Sequence, residues 1–167
     1  MSSTRPKKLQ WVLLSYRVPR EPSTPRIAIW RRLKQLGVAQ VGDGLVALPA
    51  NVNTIELLEW VAEQVTEADG AAIVWQATPT SNADSDGLRR QLIEAREAEY
   101  EELINDIANT TGESGEPVDQ RTHARWRREW RRIDRRDHFR TERRDLARLA
   151  IADATPDRAS ATNEVRS

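Results

Sequence analysis

With 167 residues, 38% apolar and 31% charged, the chain has room for one domain with an appendage around a substantial core. The absence of cysteine excludes disulfides, thiolate metal sites and cysteine nucleophiles, and no apolar run approaches the about 18 residues of a bilayer span, so a cytoplasmic protein without a membrane partner is expected. The net charge is zero but segregated: residues 1–48 carry nine cations and two acids, 49–83 none and five, 84–118 three and ten, and 119–149 twelve and six, as in elements of opposite sign that pack together.

The opening MSSTRPKK has no signal-peptide core, and residues 1–8 are expected to be flexible. LQWVLLSYRV (9–18) reads as a strand closed by Pro19. Ser23 or Thr24 can cap a following helix with Pro25 in its first turn; Ile29, Trp30, Leu33 and Leu36 form its stripe and Gly37 ends it. VAQV and LVAL, joined through Gly42-Asp43-Gly44, predict a hairpin that stops at Pro49. Asn51 or Asn53 caps the next helix, striped by Ile55, Leu58, Ala62, Val65 and Ala68, and AAIVWQA (71–77) is a fourth strand.

This βαββαβ order predicts an α+β, ferredoxin-like antiparallel sheet over residues 9–79, with both helices on one face. Alternation along the strands puts Trp11, Leu13, Ile73 and Trp75 on the other face. Such an apolar patch must be covered, either by a second copy or by the rest of the chain, which makes these four the candidate interface residues. Residues 80–87 read as a polar linker. A helical extension over 88–153 follows: an acidic helix (88–109) striped by Leu88, Leu92, Ala95, Leu103 and Ile107, a loop at 110–117, an Arg-rich helix (119–138) with Trp126, Trp130 and Ile133 on one side, and a shorter helix holding Leu146, Leu149 and Ala150. Residues 154–167 are small, polar and expected to be disordered.

Two arginine groups are candidate sites. Arg17, Arg20 and Arg26 surround the start of the first helix, where free amides and the dipole favour an anion; they either form an oxyanion pocket or decorate a loop. In HARWRREWRRIDRRDHFR (123–140), Arg127, Arg128, Arg131, Arg132, Arg135 and Arg136 either contact DNA phosphates or pair with the acidic helix in a charge-matched hairpin. Asp134 and His138 are spaced as a metal pair but lack a third ligand, so neither a metal nor a cofactor is expected. Trp60 lies off its helix's stripe, at an interface or beside the core. No catalytic constellation presents itself, and a non-enzymatic protein is expected.

The stretch WVLLSYRVPREPSTPRIAIWRRLKQLGVAQVGDGLVALP resembles the N-terminal domain family of the chromate resistance protein ChrB, through Trp11 to Leu14, Arg26, Trp30-Arg31, Leu33-Lys34, Leu36-Gly37, Asp43-Gly44 and Leu48-Pro49. AREAEYEELINDI (95–107) and RRIDRRDHF (131–139) resemble the family's helical continuation more loosely. The resemblance implies a chromate-responsive transcription regulator or accessory protein of chromate resistance, in a family whose members commonly carry a further C-terminal domain. Its partners are then a chromate- or sulfate-like oxyanion and operator DNA. The alternative is an interaction scaffold that docks a partner on the sheet face. More distantly, the sequence is similar to CRISPR-associated ferredoxin-like subunits and phenylacetate-pathway repressors, which typically dimerise through the sheet region, so a homodimer is expected. The nuclease-type members have an aspartate after the first strand's aromatic residue; here Tyr16 is followed by Arg17, which cannot ligate a divalent metal.

Overall fold

A computed structural model describes residues 8–112, 117–154 and 156. Four strands, β1 (Trp11–Arg17), β2 (Ala39–Gly42), β3 (Leu45–Pro49) and β4 (Ala71–Ala77), form one antiparallel sheet in the order β2-β3-β1-β4. Helices α1 (Ser23–Leu36) and α2 (Val52–Glu67) connect them in the ferredoxin-like order, and α3 (Asn82–Thr111), α4 (Gln120–Asp134) and α5 (Glu142–Asp153) form the helical part. The chain divides into two compact units, Met1–Leu92 and Ile93–Ser167. Among the described residues no helix is long and apolar enough to cross a membrane.

In the first unit, alternation drives Val12 and Leu14 of β1 and Val46 and Leu48 of β3 against Ile29 and Leu33 of α1 and Leu58, Val61 and Val65 of α2. Local chemistry sets the joints. Asp43-Gly44 makes the β2–β3 turn with Gly44 at φ 67°, a conformation only glycine adopts freely. A Cβ there would stand 2.4 Å from the Tyr16 carbonyl oxygen. Asn51 and Thr54 exchange side-chain and backbone hydrogen bonds in a capping box that starts α2. Helix α1 has no such cap: Pro22 holds the capping position, ahead of Ser23 and Thr24.

Two expectations are corrected. Residues 80–87 are not a linker throughout, because α3 begins at Asn82, six residues before the expected start. Ser81 accepts a hydrogen bond from the Ala83 amide, and Asp84 lies in the positive first turn. Trp11, expected at an interface, is fully buried, and its indole N–H donates to Ser85 at 3.0 Å. The start of α3 thus covers the Trp11 end of the helix-free face. Leu13 is half-buried, while Ile73 and Trp75 on edge strand β4 remain 54% and 51% exposed. At the opposite edge, the Gln91 side-chain amide pairs with both backbone groups of Gln40, at 2.5 and 3.3 Å.

The second unit packs Tyr100, Leu103 and Ile107 of α3 against Trp126 and Ile133 of α4 and Ala147 and Ile151 of α5. Leu146 and Leu149, the apolar residues noted in this helix, are more than half exposed; Ala147 and Ile151 take the inner positions. The expectations for residues 1–8 and 154–167 lie outside the described residues, except for Lys8, Ala154, which joins this core, and Pro156, which bridges to Val118.

Candidate anion site and the arginine helix

Strand β1 ends at Arg17, and α1 starts six residues later, so strand end and helix start are neighbours. A cavity of about 540 Å³ opens there, lined by Tyr16, Arg17, Val18, Arg26, Ile27, Trp30, Asp43 and Gly44. Arg17 and Arg26 therefore share one space, whereas Arg20 is not part of the lining. All three are exposed, and none makes an ion pair among the described residues. Pro25 has no N–H, so the uncapped donors of the first turn are the Ser23 and Thr24 amides. Asp43 is the one acid in the lining, set against two guanidiniums. Tyr16, Val18, Ile27 and Trp30 make the remaining wall largely apolar, and the Lys34 ammonium lies 4.7 Å from the Trp30 ring centroid. Burial raises the Tyr16 phenol's pKa, which keeps it a neutral donor.

The Arg-rich run becomes α4, started by Asp119, whose side chain accepts from the Thr122 amide at 2.9 Å. These hydrogen bonds hold the Asp119 carboxyl below its usual range. Trp126 and Ile133 face the core and split the six candidate arginines. Arg136 forms a two-armed pair with Glu99 of α3, at 3.2 and 2.5 Å, and is committed internally. Arg125 bonds Asp106 at 2.9 Å, Arg143 pairs with Glu101, and Arg144 with Asp134 at 2.5 Å. Arg125, Arg136 and Arg143 thus pair with the acidic helix, and Arg144 with α4 itself. Arg127 and Arg131 turn toward α5 and line a second cavity. Arg128, Arg132 and Arg135 remain on the side away from Trp126 and Ile133, and Arg132 also reaches Glu129 at 2.5 Å.

A buried polar cluster in this unit has no counterpart in the expectations. Arg96 is 5% exposed and pairs through Nη2 with Glu99 at 2.6 Å. Its Nε and Nη1, the Tyr100 hydroxyl and Asp137 Oδ1 are buried without a hydrogen-bond partner among the described residues. Asp137 Oδ2 accepts from the amide and hydroxyl of Thr141. Burial, then the Asp137 and Asp134 charges, push the Tyr100 phenol upward, and burial lowers Arg96. His138 is lowered by burial and by Arg96 and partly restored by Asp137. Arg96 and Arg136 balance Glu99 and Asp137, so the cluster draws no net anion. Its sequence signal is spacing: Arg96 falls four residues from both Leu92 and Tyr100, on the buried stripe of an otherwise acidic helix.

The family model described as Protein ChrB, N-terminal, matches residues 26–166. Protein ChrB of Cupriavidus metallidurans is 27% identical over 99 residues, a match covering 59% of this chain and 30% of that protein, so the chain spans under a third of that relative's length. No solved structure matches. A match over residues 26–166, well over half of the chain, shows that this chain belongs to the ChrB N-terminal family.

Proposed function

We propose that this chain acts in chromate resistance as a non-enzymatic, oxyanion-responsive regulator that binds DNA. Support for the setting comes from family membership. Support for the site comes from one observation: Arg17 and Arg26 line the same cavity beside an uncapped helix start and have no ion-pair partner among the described residues. In this reading the two guanidiniums hold a chromate- or sulfate-like dianion, and the Ser23 and Thr24 amides lie outside the cavity lining. A tetrahedral dianion fills only part of 540 Å³, and it sits at the arginine end, away from Ile27 and Trp30. Arg20 assists from outside the lining. DNA phosphates meet Arg128 and Arg132 on the outward side of α4 and Arg135 at its C-cap. The protein is read as cytoplasmic and homodimeric.

Titration calorimetry with chromate tests the site. Saturable heat from the wild-type chain that disappears in Arg17→Ala/Arg26→Ala is expected; no heat from wild type retires the assignment. A second reading, an interaction scaffold, is favoured by the exposure of Ile73 and Trp75 on edge strand β4. A gel shift with upstream DNA separates the two. Retardation that chromate reverses supports the regulator, and no shift at low salt supports the scaffold.

A further inference from the structure

A cavity of about 340 Å³ between α4 and α5 is lined by His123, Arg127, Trp130, Arg131, Arg148, Ile151 and Ala152. Its size lies near the lower end of the roughly 300–1,000 Å³ usual for small-molecule sites. The lining contains three arginines and no acid. Elsewhere in the unit Arg96, Arg125, Arg136, Arg143 and Arg144 each have a carboxylate partner. Arg127 and Arg131 have none among the described residues, and Arg148 reaches Asp145 only at 3.7 Å. The cations therefore stand around an unneutralised opening.

The floor has the opposite character. Ile151 is 7% exposed, and Trp130 and Ala152 extend the apolar surface beside it. Trp130 is fixed twice: its indole N–H donates to the Arg144 carbonyl at 3.0 Å, and the Arg144 guanidinium lies 5.1 Å from its ring centroid. His123 Nε2 donates to the Ile151 carbonyl at 3.1 Å, tying α4 to α5 across the cavity wall. The walls are thus set before anything binds, which lowers the cost of ordering on association.

We propose that this cleft binds a small organic anion with an aromatic or branched apolar body. The charged group is held by Arg127 and Arg131, and the body lies on Trp130, Ile151 and Ala152. A bare inorganic anion satisfies the rim but leaves the floor wet. A neutral apolar molecule covers the floor but leaves the guanidiniums unanswered. A nucleic-acid backbone needs cations projecting along a surface, and these are instead Arg128, Arg132 and Arg135. The cleft lies in the second unit and is independent of the Arg17–Arg26 reading.

Naphthalene-2-sulfonate is a suitable probe for titration calorimetry on the full chain, with sulfate and 2-naphthol as the charge-only and body-only controls. The expected result is saturable binding of the probe, at least tenfold weaker binding of either control, and a loss of at least tenfold in Arg127→Ala/Arg131→Ala. Ala152→Leu fills the floor while keeping every charge and is expected to weaken the probe equally, which guards against a trivial loss of fold in the arginine variant. Arg17→Ala/Arg26→Ala is expected to bind the probe as wild type does. The proposal is overturned by unsaturable binding, by undiminished binding in both cleft variants, by sulfate matching the probe, or by loss of binding in the Arg17/Arg26 variant.

Discussion

Two arginine pairs in this chain show opposite uses of one side chain. Arg17 and Arg26 are exposed around an open cavity whose lining offers a single carboxylate. Arg96 and Arg136 converge on Glu99, one of them almost wholly buried. Removing ions from water is costly, so the second pair persists only because a carboxylate and its hydrogen bonds compensate. The first pair keeps its hydration and its charge, and is available to something that arrives from solution. The number of arginines in a segment therefore says little about binding; the acids packed beside them decide.

Glu99→Gln tests this contrast most severely. It leaves two guanidiniums facing a neutral amide, one of them buried, and is expected to destabilise by about 3 kcal/mol. Arg17→Ala/Arg26→Ala should stay within about 0.5 kcal/mol of wild type, as is usual for surface changes. Equal losses in chemical denaturation would erase the distinction between the pairs. Gly44→Ala is expected to have an intermediate effect, about 1–2 kcal/mol for the left-handed backbone alone, with further cost from the approach to Tyr16. Because Gly44 also lines the Arg17–Arg26 cavity, chromate heat should weaken along with stability. A variant as stable as wild type would show that the turn relaxes freely.

The smallest effect is a pH dependence arising beside Arg96. His138 is held below its ordinary value of about 6.5 by burial and Arg96, against Asp137. The unfolded chain then binds this proton more readily than the folded one. The associated stability is complete above about pH 6.5 and is lost as pH falls through the lowered native value. Unfolding midpoints should fall more steeply between pH 7 and 5 (roughly the window set by that reference value) for wild type than for His138→Gln. Parallel curves would remove His138 as the cause.

The sheet, its two covering helices and the hairpin were legible because their signals are local: period-two alternation, helical stripes, Asp43-Gly44 and the Asn51 cap. The start of α3 was not, since SNADSD carries no apolar periodicity and its helicity rests on Ser81 and Asp84. Which of the two expected covers Trp11 receives was not legible for a related reason: its partner Ser85 is 74 residues away, a pairing no local pattern announces. Charge blocks correctly suggested that the acidic and basic helices pair. They could not separate Arg136, locked on Glu99, from Arg127 and Arg131, which line a cleft, because that division depends on which way each side chain leaves α4.

The Gln91 amide on Gln40 has a further effect on how this sheet can associate. It occupies the outward hydrogen-bonding groups at the middle of β2, so a strand arriving there finds no template. The other edge strand is β4. Symmetric strand addition between copies then joins β4 to β4. One side chain thus closes the β2 edge of the sheet to strand addition at Gln40.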